Sequence, residues 1–150
     1  MNLKPLFIGA NVVIHLAAIT DAAGSIDRAE ELEANNFQST LNVSKACLEA
    51  NASLIALSST SVYGTQNDQV DESCSEIELQ PQSPYALTKL KEEELLRELS
   101  NKGLKAIHCR FGTIFGASPG MRFHTAVNKF CWQAAMNPVS YTHLTLPTKA

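Results

Sequence analysis

Three side chains between Ser58 and Lys89 could together move a proton: the hydroxyl of Ser59, the phenol of Tyr85 and the ammonium of Lys89. A free phenol titrates near pH ~10, too high for a base at neutrality, and an adjacent cation favours the phenolate and lowers that value. Tyr85 and Lys89 are four residues apart, which puts them on one face of a helix. Ser83 is a good N-cap and Pro84 a good first helical residue. Tyr85 therefore falls in the first turn, where the positive end of the helix dipole also favours an anion. A serine at the end of the preceding strand can hold a substrate hydroxyl while the phenol removes or returns its proton. Given a hydride acceptor, the three groups suffice for alcohol-to-ketone chemistry. Taken alone, Tyr-x-x-x-Lys recurs by chance about once in a few chains of this length, and its bland counterpart is a surface helix with a capping serine and a solvated lysine.

The elements that must position these groups read in order along the chain. Val12 to Leu16 is a short β-branched run that predicts a strand buried on both faces, closing on Ala17-Ala18. Small residues past the carboxyl end of a parallel strand let a ligand approach the backbone, or serve tight packing. Thr20 to Ala34 is acidic and polar and predicts a loop with a short helix, and Asn35-Asn36 opens a longer helix to about Ala50. Asn36 shares a partly apolar face with Thr40, Val43 and Cys47, or else acts as the N-cap. Leu54 to Leu57 forms the second strand and ends at Ser58 and Ser59. The loop between Gly64 and Pro84 carries Asp68, Asp71, Glu72, Glu76 and Glu78 without helical spacing, which predicts a solvated excursion over the site. A helix follows from Pro84 to about Asn101, stopped by Lys102-Gly103. At 100° per residue, Tyr85, Lys89 and Leu96 share one side while Ala86, Leu87 and Leu90 fall on another, so this helix is expected to be covered twice. A second subunit is the simplest cover, and a neighbouring helix of the same chain is the alternative. With a third strand at Ala106 to Phe111, the order predicts right-handed parallel crossovers in a three-layer α/β sheet.

Ser-Ser-x-x-Val-Tyr-Gly at a strand end, followed by Pro-x-Ser-Pro-Tyr-x-x-x-Lys, resembles the extended short-chain dehydrogenase/reductase family, in particular its NAD-dependent nucleotide-sugar epimerases and dehydratases. The likeness runs from about Asn11 to Phe130. It implies a Rossmann-type fold, catalysis by Ser59, Tyr85 and Lys89, and NAD, with NADP open, held by Leu16, Ala17, Ala18, Asn36, Ser58, Tyr85 and Lys89. It also implies a nucleotide-sugar substrate and homodimers through the Tyr85–Lys89 helix. The glycine-rich turn from Gly112 to Arg122 resembles the segment where such enzymes begin to contact the nucleotide-sugar, although Thr113 stands where the family often has asparagine. Family dehydratases place acidic residues just after the active-site serine or threonine, and here those positions are Thr60 and Ser61. Epimerisation or simple oxidation is therefore favoured over dehydration. A non-catalytic dinucleotide sensor and an inert truncated product are the competing readings.

Composition agrees with a globular domain: 150 residues, 45% apolar, 18% charged and a formal net charge of −3. The absence of a basic cluster argues against nucleic acid or an anionic membrane as partner. Asn11 and His15 interrupt the apolar stretch after Lys4, which speaks against an export signal and for a cytoplasmic protein. The four cysteines and four histidines form no metal-binding spacing, so no metal is expected, and the thiols should be buried or half-buried. Two features stand apart from the family plan. The Gly-x-x-Gly-x-x-Gly turn that would hold a pyrophosphate is not among these residues, as if the first βαβ unit were missing, and residues 138–150 resemble translated adapter sequence. The expected organisation is a partial dinucleotide-binding domain over residues 1–137 and a foreign or disordered tail.

Overall fold

A computed structural model describes residues 3–20, 29–65, 69–123 and 125–136. They divide into two compact units, one over residues 1–112 and one over 113–150.

The first unit runs α1 (Lys4–Phe7), β1 (Val12–His15), α2 (Ala29–Ala50), β2 (Ser53–Ser59), α3 (Pro84–Ser100) and β3 (Ala106–Phe111), with single 3₁₀ turns at Thr60–Tyr63 and Glu76–Glu78. The strands are parallel in the order β1-β2-β3, with Val13 opposite Leu54 and Leu54 opposite Ala106. Parallel neighbours need a crossover, and α2 and α3 supply the two crossovers. Both helices lie on one face, where Val43 and Cys47 of α2, Leu96 and Leu99 of α3, and Leu54 and Ala56 of β2 close into one core.

Helix α2 begins at Ala29, six residues before Asn35, where its start was expected. Leu32, Asn36, Thr40, Val43 and Cys47 are all buried and continue a single helical stripe. Glu30 and Glu31 sit in the first turn, where the helix dipole favours them, so polarity that suggested a loop belongs to a helix start. Asn36 is thereby interior to the helix, and the N-cap alternative is excluded. The helix ends on Asn51 at φ 55, with the Ala52 amide donating to the Cys47 carbonyl at 2.9 Å and the Asn51 amide to Leu48. That is a Schellman stop. Helix α3 ends the same way on Gly103, at φ 104, with Leu104 donating to Leu99.

Strand β1 departs from expectation, because only one of its faces is covered. Val13 packs against the core, whereas Ile14 is 61% exposed and Ile107, on the same face of β3, is 63% exposed. Within residues 3–112 no described helix packs on that second face, while the parallel α/β plan is the one expected.

In the second unit, α4 (Ala126–Met136) is preceded by a turn that Asn128 organises. Its carboxamide accepts from the Gly116 amide at 3.0 Å and donates to the Arg122 carbonyl at 3.1 Å. Phe123 and Trp132 meet edge to face at 5.7 Å. All four cysteines are free; Cys47 is buried and its thiol pKa is pushed up by that burial, whereas Cys131 on α4 is exposed, contrary to the expected burial. Residues 138–150 lie outside the described residues, as does Asp68. No described helix is long and apolar enough to cross a membrane, and among the described residues no three His, Cys, Asp or Glu side chains converge as metal ligands.

Candidate active site

The start of α3 is built as its sequence requires. The Ser83 hydroxyl accepts from the Ala86 amide at 3.1 Å, Pro84 occupies the first helical position and Tyr85 follows in the first turn. One turn on, the Lys89 ammonium lies 5.8 Å from the centre of the Tyr85 ring. Lys89 is only 5% exposed, and a buried charge requires a partner. Glu92 provides it, with Oε2 at 3.0 Å from the ammonium, and the same oxygen accepts from Thr40 on α2 at 3.0 Å. Oε1 of Glu92 is buried without a hydrogen-bond partner. By residue type alone Glu92-Glu93-Glu94 looks like a solvated run. The position of Glu92 three residues after Lys89, on the Tyr85 face, was the signal available.

His15, at the end of β1, completes the surroundings of the ammonium. Burial, reinforced by the positive charge of Lys89, holds its pKa below the ordinary imidazole value. It is a half-buried, neutral histidine at physiological pH.

Strand β2 presents its two serines to opposite faces, as the period of two demands. Ser58 turns toward the helices and donates to Oε1 of Glu93. Glu93 in turn holds Arg110 of β3 through two bonds, of 3.0 and 2.7 Å, and the guanidinium lies 4.8 Å from the centre of the Tyr63 ring. Burial pushes the Glu93 carboxyl up, but hydrogen bonds from Arg110 and Ser58 outweigh it and leave the pKa below the usual glutamate range. This second network was also unforeseen. Ser59 faces the other way, its oxygen accepting from the Ser61 amide at 3.2 Å and from the Ser61 hydroxyl at 2.8 Å. The fold thus brings Tyr85 and Lys89 together, while the Ser59 hydroxyl bonds to Ser61 and the Ser58 hydroxyl to Glu93.

At the carboxyl end of β1, Leu16 is 63% exposed, Ala17 is exposed and Ala18 is half-buried. Behind them the buried Asn36 carboxamide accepts from the Ile19 amide at 2.8 Å and donates to the Ile19 carbonyl at 2.9 Å. The strand end is thus open, with small side chains at Ala17 and Ala18 and a pinned backbone behind them, at the carboxyl edge where open α/β sheets take ligands. The excursion after β2 is closed at its base. Gly64 sits at φ 73, and a Cβ there would stand 2.3 Å from the Gln80 carbonyl oxygen. Asp71, Glu72 and Glu78 on this excursion are exposed, as expected of a solvated face.

Comparison with known proteins decides the family. The model of the NAD dependent epimerase/dehydratase family matches residues 3–140. The chain belongs to that family. Among similar epimerase/dehydratase sequences, the uncharacterized UDP-glucose epimerase YtcB of Bacillus subtilis is 33% identical over 137 residues, covering 88% of this chain and 42% of YtcB. A UDP-N-acetylglucosamine 4-epimerase from Methanobrevibacter ruminantium, solved with UDP-N-acetylmuramic acid, superposes with TM-score 0.78 at 28% identity, over 90% of this chain and 44% of that one. MoeE5, solved with UDP-glucuronic acid and NAD, gives TM-score 0.76 at 28% identity, over 89% and 44%. The chain therefore spans less than half the length of these epimerase/dehydratase relatives, and their fold is the Rossmann-type α/β plan expected for it.

Proposed function

We propose that this chain carries the proton-transfer centre of a nucleotide-sugar epimerase, in which a sugar hydroxyl is oxidised reversibly at one ring carbon. The observation that carries the reading is the pairing of Tyr85, in the first turn of α3, with a buried Lys89 ammonium 5.8 Å from its ring. In this reading Tyr85 takes the proton of the substrate hydroxyl and returns it, and Lys89 stabilises the phenolate. Ser59 donates to the same substrate oxygen and orients it. A bound nicotinamide dinucleotide supplies the hydride acceptor. Leu16, Ala17, Ala18, Ser58, Tyr85 and Lys89 are the residues proposed to hold it, with Asn36 fixing the backbone behind the first three. NAD is favoured over NADP because NAD is the dinucleotide bound in MoeE5.

Epimerisation is preferred to dehydration on the chemistry of the two residues after Ser59. Loss of water from a sugar needs an additional acid and base, and Thr60 and Ser61 offer only hydroxyls, one bonded to the Phe111 carbonyl and the other to Ser59. The same reading takes the protein to be cytoplasmic. It also pairs two copies through α3, whose Leu87 is 50% exposed although α2 covers the other flank. The test is to supply UDP-glucose, UDP-N-acetylglucosamine and UDP-glucuronic acid to the protein expressed at the length of its relatives and follow products by NMR. A stereoisomer of the input is expected. A keto-deoxy sugar as main product would refute the assignment.

A further inference from the structure

The ammonium expected to acidify Tyr85 is in contact with a carboxylate. Lys89 Nζ is 3.0 Å from Glu92 Oε2 and 5.8 Å from the Tyr85 ring centre, so the cation beside the phenol is also paired with an anion. Both partners of the ion pair are almost fully buried, with side-chain exposures of 6% and 5%, so solvent screens their charges little. Glu92 is also fixed in place, because Thr40 donates to the oxygen that receives Lys89. From β1, the group facing the ammonium is His15, which burial and Lys89 keep neutral near pH 7. From α2 the uncharged Thr40 reaches the same carboxylate oxygen, and on α3 itself the neighbours of the ammonium are Tyr85 and Glu92. The adjacent Glu93 is committed to Arg110, Ser58 and the more distant His108.

We infer that Glu92 is a positioning residue that attenuates the effect of Lys89 on Tyr85, holding the ammonium beside the phenol while offsetting part of its charge. The inference rests on the proposed role of the Tyr85–Lys89 pair. It adds a setting: the phenol titrates higher with Glu92 present than it would beside an uncompensated cation, which favours its protonated form as a proton donor at neutral pH. Oε1 takes no hydrogen bond, so both donors to this carboxylate, Lys89 and Thr40, meet at Oε2.

The test reads Tyr85 directly. The protein contains three tyrosines, so ring-labelled tyrosine NMR, with Tyr85→Phe to assign the signal, gives the phenol midpoint without any assay of turnover. Glu92→Gln keeps the size and one acceptor oxygen for Lys89 and Thr40 and removes the charge. The midpoint is expected to fall by about half to one pH unit, with the basic limb of the pH–rate profile moving the same way. If the Gln variant does not fold, Glu92→Met, which fills the space without charge, reads the same midpoint. A midpoint that stays put in a folded variant overturns the inference. So does a rise, which would mean that the carboxylate instead sustains the charge of Lys89. If Tyr85→Phe kept full turnover, the proposed function would fail, yet the titration would still report on Glu92.

Discussion

Asn36 and Ile19, seventeen residues apart, are joined by two hydrogen bonds, the carboxamide accepting from the Ile19 amide and donating to its carbonyl. Both backbone groups of one loop residue are thereby satisfied by one buried side chain, and the segment leaving β1 is tied to the middle of α2. Asn36→Leu should strand both groups, costing about 1–3 kcal/mol of stability. Hydrogen exchange at the Ile19 amide should accelerate in the variant. Unchanged protection there would show that the tie is not what orders the loop.

At the proposed centre, Tyr85→Phe should lower turnover about 10²- to 10⁴-fold, the span of a positioned proton donor, and leave cofactor binding nearly intact. Ser59→Ala should cost less, because it removes one orienting bond and no proton carrier. Steady-state rates and cofactor titration on both variants check this order. Parental turnover in the Phe variant would remove Tyr85 from the chemistry.

Gly64→Ala should damage stability more than its size suggests. The new methyl would meet the Gln80 carbonyl oxygen at 2.3 Å, and the backbone is already at φ 73. Strain and clash together should cost about 2–4 kcal/mol, seen as a lower urea midpoint. A value within error of the parent would mean that the base of the excursion is not held as closely as it stands.

Stability should depend on pH in two steps. His15 has a lowered native pKa, so between its unfolded value of 6.5 and that lower native value the unfolded chain binds the extra proton. Stability is therefore lost as pH falls through this window. Glu93, with a depressed native pKa, contributes fully above the ordinary glutamate value of about 4.3, and that contribution is lost as pH falls through the native value. Urea unfolding between pH 7 and pH 3 should show both losses. His15→Leu should flatten only the first, and a variant that keeps the full slope near pH 6 would assign it to another group.

The parts of this fold written in local signals were legible in advance. Ser83, Pro84 and Gly103 mark both ends of α3, and the third strand stands at Ala106–Phe111 as its apolar run indicates. The start of α2 was hidden because Glu30, Glu31 and Glu33 look like loop residues until Leu32 is seen buried beneath them. In the site, Tyr85 and Lys89 could be paired by helical spacing alone. Glu92 and Glu93 could not be read as buried, because what makes burial tolerable comes from elsewhere: Thr40 is 52 residues from Glu92, and Arg110 is 17 from Glu93. No window of sequence contains both partners of either bond.

The strand order β1-β2-β3 follows the order of synthesis. Within these three strands each one pairs with the strand before it in sequence, and α3 packs on α2. Long-range closure is thus divided into two short steps, each about the length of one helical crossover, in place of one large loop. Pairing among these three strands can therefore proceed in sequence order, β2 closing on β1 and β3 closing on β2.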